Sequence, residues 1–569
     1  MLPFDLITIG AGINGAGIAR DAAARGLRVA LLEKEDFGSG TSSWSGRLIH
    51  GGLRYLEQLD VRLVRESLRE RERLLRLAPH LVKPVPLLMP FYGHNKRPPW
   101  MIRTGMIAYD ALSFDKTASR HRILSREETL ERFPGMNREG LSGAAVYIDG
   151  QVMWPERLCV ETVLAARADG AVIHTHAAVD GLLMENGHAR GVRYTDAMTC
   201  ARHELRGDVI VNAAGPWVDS VFKAAGEPVE RLIGGTKGSH LVVDPFPGAL
   251  TDAVYYESQA DGRLILVVPW DGRYLIGTTD RRFDDDPGEA RADEDEIDYL
   301  LTETNRLIPG ADLTPDDILF TYSGIRPLPY LPGRSEWKLP RSHIIHDHAP
   351  EIRGLVSIVG GKLTTYRSLA EETVDKVFAL LGRKPPPCVT RDLSLPGAKV
   401  ADLDHFRNAF ATSSGLSGPV ADRLVDVYGS RAADVLRVGA GSPELLSPFH
   451  ESTGAIGAEL IFAFREELAQ TLTDALMRRT MAGLSPDRGL GCAERAARII
   501  ARDIGWDSRR TTEEVEDYRR YVQRFAVPGR DGSAMAAVPS GGRAESPGHR
   551  SGPRPRGRRV GCHRRDVPS

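Results

Sequence analysis

A short segment near the N-terminus gathers side chains that could bind and deprotonate a small molecule. It reads TSSWSGRLIHGGLRYLE from Thr41 and mixes hydroxyls, paired glycines, a histidine and arginines. Hydroxyls and backbone amides can hold a diphosphate, and glycines let the chain approach an aromatic cofactor closely. His50 could transfer a proton, because an unperturbed imidazole titrates at about pH 6.5. Arg54 could bind an anion, so the segment indicates acid–base chemistry beside a cofactor.

A glycine-rich motif precedes this segment. Gly10-Ala11-Gly12-Ile13-Asn14-Gly15 lies between the strand pattern FDLITIG and the helix pattern INGAGIARDAAARG. Such glycines permit a tight turn and let amide groups approach a diphosphate at the N-terminus of a helix. Glu33 ends the next strand pattern, LRVALLE, where a carboxylate can accept hydrogen bonds from ribose hydroxyls. These features predict a dinucleotide site, although the motif alone does not separate FAD from NAD.

Further candidate site motifs follow later strand patterns. They are Asn212–Trp217 (NAAGPW), Gly360–Thr365 (GGKLTT) and Thr278–Asp280 (TTD). The extreme N-terminal position of the first motif, with the glycine-rich strand ends that come later, favours the larger and more deeply embedded cofactor, FAD. The GGKLTT motif opens a helix, so its amides and Lys362 could stabilise negative charge on a flavin ring. The TTD motif could line the same cavity or form an ordinary strand-end turn.

The elements that carry these motifs alternate between strand-like and helix-like patterns, which predicts an α/β fold. Irregular strand spacing predicts an FAD-binding Rossmann-type domain interleaved with a mixed-sheet substrate domain over residues 1–388. Helical patterns after a Pro-rich stretch predict an all-helical C-terminal domain over residues 389–527. Residues 528–569 are rich in Arg, Pro and Gly and are expected to be disordered, because such a composition cannot bury a core.

Composition excludes several classes of protein. The 569 residues carry 74 basic and 76 acidic side chains, so the net charge of −2 gives no general attraction to nucleic acid. Five widely spaced cysteines form no Cys-x-x-Cys pair, which disfavours a metal site or a disulfide scaffold and fits a cytoplasmic protein. The sequence shows no signal-peptide pattern and no apolar run near the roughly 20 residues that cross a bilayer. Any membrane contact is therefore expected to be peripheral.

Taken together, the motifs resemble those of the aerobic, FAD-dependent glycerol-3-phosphate dehydrogenases, within the D-amino-acid-oxidase-like flavoproteins. The resemblance covers about residues 4–526. It rests on motifs that occur in the order of that family: GAGINGAGIARDAAARG, TSSWSGRLIHGGLRYLE, NAAGPWVD, KGSHLVV, VVPW, GTTD, YSGIRPL, GGKLTTYRSLAE and DALMRRT. The resemblance implies oxidation of sn-glycerol 3-phosphate to dihydroxyacetone phosphate by hydride transfer to FAD, with electrons passed to a quinone.

The resemblance also implies roles for individual residues. The expected catalytic and substrate-binding residues are His50, Arg54, Tyr55, His240, Arg326, Arg341 and Lys362. The expected FAD contacts are Gly10, Ala11, Gly12, Ile13, Asn14, Gly15, Glu33, Lys34, Thr41, Ser42, Ser43, Arg47, Leu48, His50, Gly51, Gly52, Val179, Ala214, Gly215, Trp217, Gly361, Lys362, Leu363 and Thr364. Arginines suit the phosphate because their planar donors remain charged. Both His50 and His240 are candidates for the base.

Alternatives remain within the same fold. The electron acceptor could be dioxygen, which would make the protein a glycerol-phosphate oxidase. The substrate could instead be an amino acid, or the flavin could serve a non-enzymatic redox sensor. If the acceptor is a quinone, the protein is expected to attach peripherally to the cytoplasmic membrane. The candidate contact is the segment His94–Arg103, which mixes basic and apolar residues. The resemblance is also compatible with a homodimer.

Overall fold

The computed structural model describes residues 3–53, 60–113, 119–226, 230–332 and 342–529. The elements up to residue 212 are β1 (Phe4–Ile9), α1 (Ile13–Ala24), β2 (Val29–Leu32), β3 (Leu48–Ile49), α2 (Val61–Leu77), β4 (Val82–Tyr92), α3 (Pro99–Leu112), β5 (Arg122–Ser125), α4 (Arg126–Arg132), β6 (Leu141–Val152), α5 (Pro155–Ala168), β7 (Val172–His174), β8 (Ala177–Glu185), β9 (His188–Asp196) and β10 (Arg202–Asn212). Those up to residue 380 are α6 (Val218–Ala225), β11 (Thr236–Val243), β12 (Ala253–Glu257), β13 (Leu264–Trp270), β14 (Arg273–Gly277), β15 (Arg281–Arg282), α7 (Glu294–Leu307), β16 (Ile318–Arg326), β17 (Ile344–Asp347), β18 (Leu355–Val359) and α8 (Tyr366–Leu380). The remaining elements are α9 (Leu403–Ser413), α10 (Gly418–Tyr428), α11 (Ala432–Val438), β19 (Pro448–His450), β20 (Ala455–Ile456), α12 (Gly457–Glu466), α13 (Leu472–Arg478), α14 (Ala493–Ile504) and α15 (Ser508–Val522).

The first sheet is the scaffold for the glycine-rich motif. Its strands follow the order β17-β18-β10-β1-β2-β7, and β18, β10, β1, β2 and β7 run parallel. The strand β1 is apolar along most of its length because both faces of a parallel sheet are covered. One face packs on α1, α5 and α8, and the other on α6 and the β8–β9 hairpin. The chain leaves β1 for β2 on one side and later returns to β10 on the other, which opens a crevice at the carboxyl ends of the strands.

The second sheet carries the remaining site motifs. Its order is β15-β11-β14-β13-β12-β4-β6-β3, with β16 also paired to β11 and β5 to β6. It is mixed, because β12 and β4 run parallel while β11 pairs antiparallel with both β14 and β16. The strands of this sheet come from three separate stretches of the chain. The predicted interleaving of an FAD-binding Rossmann-type domain with a mixed-sheet substrate domain is thereby confirmed.

The C-terminal domain is helical, as predicted, and includes a short antiparallel pair formed by β19 and β20. A buried ion network joins it to the first sheet. The Asp36 carboxylate, which is 0% exposed, accepts hydrogen bonds from Arg478 Nε (2.5 Å) and from Arg479 Nη1 and Nη2 (2.8 and 2.9 Å). Nearby, His176 Nε2 lies 2.9 Å from Asp474 Oδ2. These contacts attach α13 to the loop after β2 and to the turn between β7 and β8.

Candidate active site

A cavity of about 370 Å3 lies at the carboxyl ends of β1, β2, β10 and β18. Each of these strands contributes its last residues or the turn after them, including Ile9, Glu33, Ala213 and Gly360. This is the edge of an open parallel sheet at which ligands bind, at the point where the strand order reverses. The topology therefore places the main ligand site where the sequence motif predicts a dinucleotide.

The glycine-rich turn is shaped to expose the start of α1. Gly10 has a φ of +95°, and a Cβ added to it would lie 2.8 Å from the carbonyl oxygen of Ala213, so only glycine fits this position. The helix α1 begins at Ile13 after Gly12, with no side-chain cap at that end. The Ile13 amide donates to Ser42 Oγ at 2.9 Å, which brings the TSSWSGR segment against the turn. The positive end of the α1 dipole is thus directed into the cavity, as a diphosphate requires.

Glu33 lines the cavity next to the glycine-rich turn. Its Oε2 accepts from the Ala11 amide at 2.7 Å, and its Oε1 accepts from the Glu35 amide at 3.0 Å. Burial raises the pKa of Glu33, while the Ala11 and Glu35 amides oppose that rise. The carboxylate is therefore fixed in orientation beside the glycine-rich turn, as expected for a group that accepts hydrogen bonds from ribose.

The residues of the cavity fit a dinucleotide. Asn14 Nδ2 donates to the carbonyl oxygen of Gly360 at 3.2 Å. The Oδ1 atom of Asn14 is buried and accepts no hydrogen bond from any residue that the structure describes. A buried acceptor of this kind is costly unless a ligand satisfies it. Together with the N-terminus of α1 and with Glu33, it indicates a polar ligand that spans the crevice.

Trp217 crosses one side of the cavity. The Lys34 ammonium lies 3.8 Å from the centroid of its ring, and its indole N–H donates to Asp286 Oδ1 at 3.2 Å. A Cβ on Gly40 would lie 2.9 Å from the same ring, so the indole packs directly on the backbone there. Trp217 thereby connects the first sheet to the loop after β15.

A second, more polar group of side chains lies under the TSSWSGR segment. The ring of His240, on β11, is 3% exposed and stacks on that of Tyr322 with centroids 4.8 Å apart. Tyr322 in turn donates its hydroxyl to the carbonyl oxygen of Ser45, a residue that lines the cavity. Neither ring nitrogen of His240 forms a hydrogen bond with a described residue. Burial, together with the charges of Arg326 and Arg47, lowers the pKa of His240 to about 3.

Arg326 lies at the end of β16, close to this histidine. Its Nη1 donates to Asp280 Oδ1 at 3.0 Å, and its Nη2 donates to Thr278 Oγ1 at 3.0 Å and to the carbonyl oxygen of Thr279 at 3.2 Å. The side chain is 25% exposed. The next residue, Pro327, lines the cavity. The TTD motif therefore fixes a guanidinium at the border between the two sheets.

Two distant motifs also meet here. The amide of His50 donates to Thr364 Oγ1 at 3.2 Å, so the first of the predicted histidines is anchored to the GGKLTT loop. The amide of Gly51 donates to the buried Asp149 carboxylate at 3.1 Å. Lys362 and Leu363 of the same loop line the cavity. The N-terminal segment and residues more than 300 positions later thus form one wall.

Most of the predicted FAD contacts border this cavity. Those that line it are Gly10, Gly12, Ile13, Asn14, Glu33, Lys34, Thr41, Ser42, Val179, Ala214, Gly215, Trp217, Gly361, Lys362 and Leu363. The others do not line it: Ala11, Gly15, Ser43, Arg47, Leu48, His50, Gly51, Gly52 and Thr364. The predicted Arg54, Tyr55 and Arg341 fall outside the described residues.

Arg47 differs most from its predicted role. Its guanidinium is fully buried, donates to both carboxylate oxygens of Glu156 at 3.1 and 3.0 Å, and lies 4.2 Å from the centroid of the Trp270 ring. Its donors are therefore directed toward α5 and the second sheet. The side chain holds the site segment in place, and it influences His240 through its charge and through Tyr322, whose ring centroid lies 5.8 Å from the guanidinium.

The residues predicted individually as FAD contacts do not include every residue of the cavity. Ser45, Ala213, Pro216, Pro327 and Gly360 belong to predicted motifs, whereas sequence reasoning missed Ile9, Leu32, Ser39, Gly40, Ala177, Ala178, Ser220, Val221 and Ala224. Ala213 and Gly360, which are next to predicted residues, follow from the strand ends. The contribution of Ser220, Val221 and Ala224 could have been expected from an apolar helix directly after the NAAGPW motif.

Comparison with known proteins agrees with this geometry. A family model described as FAD dependent oxidoreductase matches residues 5–367, and one described as the C-terminal domain of alpha-glycerophosphate oxidase matches residues 388–511. A glycerol-3-phosphate dehydrogenase of Synechocystis is 45% identical over 92% of this chain and 97% of its own length. The aerobic glycerol-3-phosphate dehydrogenase of Staphylococcus aureus is 34% identical over 84% of this chain and 86% of its own length.

A solved structure supports the same assignment. The glycerol-3-phosphate dehydrogenase of Bacillus halodurans, determined in complex with FAD, is 30% identical with a TM-score of 0.76 and covers 93% of this chain and 96% of its own. The family match extends over more than half of the chain, and the cavity has the donors and acceptors that a dinucleotide needs. The chain therefore belongs to the glycerol-3-phosphate dehydrogenase family of FAD-dependent oxidoreductases, and FAD is its cofactor.

Proposed function

We propose that this chain oxidises sn-glycerol 3-phosphate to dihydroxyacetone phosphate and passes the electrons to a membrane quinone. The observation that carries the proposal is a fixed guanidinium and a buried histidine on two paired strands near the FAD cavity: Arg326 ends β16, and His240 lies on β11 opposite Tyr322, near enough for the charge of Arg326 to lower its pKa. A phosphate and an alcohol proton are the groups that this pair would recognise. The names of relatives that are 34% to 45% identical support the same substrate.

The phosphate is assigned to Arg326. The Asp280 carboxylate and the Thr278 hydroxyl fix the plane of the guanidinium without removing its charge. A fixed plane reduces the conformational entropy that a flexible side chain loses when it binds an anion. Arg54, Arg341 and Tyr55 are proposed as further donors to the phosphate, and this part of the proposal rests on the sequence motifs alone.

The proton of the C2 hydroxyl is assigned to a histidine. His240 is neutral at cellular pH because burial and the nearby arginines lower its pKa to about 3, so its ring can accept a hydrogen bond from an alcohol. The substrate phosphate would offset the charge of Arg326 and so raise that pKa, which strengthens the base when the substrate is bound, while the larger effect of burial would remain. His50, anchored through its amide to Thr364, is the second candidate.

The carbon-bound hydrogen leaves C2 as a hydride. When bound, FAD supplies the hydride acceptor. Lys362 and the turn of residues 360–364 are assigned to the negative charge that develops in the cavity, because a lysine and the turn before α8 both line or border it.

The direct test is anaerobic reduction of the bound flavin. Glycerol 3-phosphate should bleach the flavin absorbance of the purified holoprotein, while glycerol, sarcosine and D-alanine at equal concentration should leave it oxidised. Bleaching by an amino acid in preference to glycerol 3-phosphate would support the amino-acid oxidase alternative. An unreduced flavin with every substrate would contradict the enzyme assignment.

Dioxygen is the second candidate acceptor. The specific observation in its favour is the C-terminal family model, which is described from an alpha-glycerophosphate oxidase and matches residues 388–511. The two acceptors separate in one assay: a quinone-linked enzyme reduces a soluble quinone analogue much faster than it forms hydrogen peroxide in air. Fast peroxide formation without quinone would identify the oxidase.

Delivery to a quinone requires contact with a membrane. In the described part of the chain, no helix is both long and apolar enough to span a bilayer. The helix α3 exposes Trp100 (69%) and Ile107 (63%) seven residues apart on one face, with the exposed Arg103 between them. Apolar anchors flanked by cations suit an anionic lipid surface. We assign peripheral attachment at the cytoplasmic membrane to this face of α3.

Replacing both Trp100 and Ile107 with serine should lower binding to phosphatidylglycerol-containing vesicles by about tenfold or more, because two apolar anchors are lost. The measurement is vesicle co-sedimentation at low salt, with flavin reduction in solution as a check of folding. Val389→Ser is the control, since this residue is 40% exposed but lies outside α3. Equal binding of the double variant and the wild type would remove α3 from the proposal.

A further inference from the structure

Glu296, on the first turn of α7, is a buried carboxylate that the proposed mechanism does not use. The residue is 0% exposed. Its Oε2 accepts from Ser239 Oγ at 2.8 Å, and its Oε1 accepts from Thr279 Oγ1 at 2.7 Å. The Lys237 ammonium lies 3.0 Å from Oε2. Both carboxylate oxygens therefore face the two strand regions that carry His240 and the TTD motif.

Thr279 connects this carboxylate to Arg326. The Thr279 hydroxyl donates to Glu296 and accepts from the Ser239 amide at 2.9 Å, which leaves it a single orientation. The carbonyl oxygen of the same residue accepts from Arg326 Nη2 at 3.2 Å. Thr279 thus lies between Glu296 and the guanidinium of Arg326. Glu296 itself contacts neither the guanidinium nor the cavity wall.

The other contacts of Glu296 do not depend on its hydrogen bonds with the hydroxyls of both Ser239 and Thr279. The carboxylate also caps α7 by accepting from the Asp293 amide at 3.2 Å, and Lys237 retains Asp293 Oδ2 at 2.9 Å as a second partner. Helix capping and charge pairing could therefore be met at Oε2 alone. The bond from Oε1 to Thr279 serves the turn that holds Arg326.

We propose that Glu296 is a positioning residue for substrate phosphate: it fixes Thr279 and through it the plane of Arg326. The inference rests on the proposed function, because it concerns the affinity of Arg326 for the phosphate of glycerol 3-phosphate. A positioning role and a purely electrostatic role of Glu296 predict opposite changes in the affinity for phosphate when its charge is removed. Removing a negative charge near an anion site would strengthen phosphate binding, whereas loosening the Arg326 turn would weaken it.

The test is Glu296→Gln in the holoenzyme. Glutamine keeps the shape but removes the charge, and its N–H2 group must face one of the two hydroxyls, which can then only accept from it, so one charge-assisted bond to the carboxylate is lost. The apparent KM for glycerol 3-phosphate should rise about tenfold, the loss expected for a charge-assisted hydrogen bond, with kcat within about threefold of the wild type. The inhibition constant of inorganic phosphate should rise by the same factor, because both ligands use the same guanidinium.

Glu303→Gln is the matched control. Glu303 lies on the same helix, is 2% exposed, and accepts from the Gln259 amide at 2.7 Å while pairing with Arg306 at 2.5 Å. The substitution makes the same chemical change at the same depth, away from the TTD turn. It should lower stability without changing the KM or the inhibition constant of phosphate.

Thr279→Val provides a second route to the same result if the Glu296 variant does not hold flavin. It removes the hydroxyl and leaves Glu296 in place, so the KM should rise as in Glu296→Gln, and Thr279→Ser should lower it again. An unchanged or lower KM in the folded Glu296 and Thr279→Val variants would overturn the positioning role. Failure of the wild-type flavin to be reduced by glycerol 3-phosphate would instead overturn the proposed function.

Discussion

Replacing Arg326 with alanine should raise the apparent KM for glycerol 3-phosphate by about a hundredfold or more, the effect of losing a charged two-armed donor to a phosphate. The loss concerns binding that is common to the ground state and the transition state, so kcat should fall much less than kcat/KM. FAD content should stay at the wild-type level, because Arg326 lies beside the cavity and does not line it. Steady-state kinetics with the quinone analogue, together with the flavin absorbance of the purified variant, measure both quantities.

Two further variants test whether the rise in KM is specific to the guanidinium of Arg326. Arg326→Lys keeps the charge but cannot donate from two arms, so its KM should lie between those of the wild type and the alanine variant. Arg273→Ala is the control, because Arg273 starts β14 at the end opposite to Thr278, is 11% exposed and pairs with Asp271 at 3.3 Å. An alanine variant at position 326 with a wild-type KM would assign the phosphate to other residues.

The second large effect is expected at Asp36. Replacement by asparagine should lower the free energy of unfolding by about 3 to 5 kcal/mol, because two buried guanidinium groups lose the carboxylate that they share, although Arg478 keeps a second one, Asp474 at 3.1 Å. The side chains of Arg478 and Arg479 are 4% and 0% exposed, so water cannot replace the carboxylate. The variant should also release FAD more readily, since Ser39 of the same loop lines the cavity. Urea unfolding followed by circular dichroism and by flavin fluorescence measures both changes.

A surface ion pair of the same chemistry serves as the comparison. Asp284 pairs with Arg231 at 2.5 Å, with side chains 55% and 43% exposed. Asp284→Asn should change the free energy of unfolding by less than about 1 kcal/mol, as is usual for solvated pairs. If Asp36→Asn destabilised the protein no more than this control, the network would not be what holds the C-terminal domain.

Local sequence patterns were sufficient for the nucleotide half of the site. Gly10, Gly12 and Glu33 lie where a strand, a turn, a helix and a second strand place them, and every one of these elements forms within a continuous stretch of about 30 residues. The turn geometry is set by the residues themselves, since Gly10 needs a positive φ. Contacts within so short a stretch follow from the periodicity of apolar residues and from the glycine positions, so they can be predicted from the sequence.

The substrate half depends on strand register, which the sequence does not display. Asp280 holds Arg326 because β11 pairs with both β14 and β16, and a shift of one residue would turn these side chains to the other face. Glu296 enters the same network from a helix whose capping pattern reveals its start but not its neighbours. The direction of Arg47 could not be predicted either, because its φ of 55° turns the side chain toward Glu156.

The order in which the cavity wall appears along the chain has a consequence for biosynthesis. Its lining begins at Ile9 and ends at Leu363, and the arginines that fix Asp36 follow at 478 and 479. When only the glycine-rich motif has emerged from the ribosome, the nascent chain therefore offers FAD one wall of the cavity. The last wall forms only after β18 has left the ribosome, and the C-terminal helices fix it later still. FAD therefore meets a complete cavity only after Leu363 has emerged, and the arginines that fix Asp36 arrive more than 100 residues later.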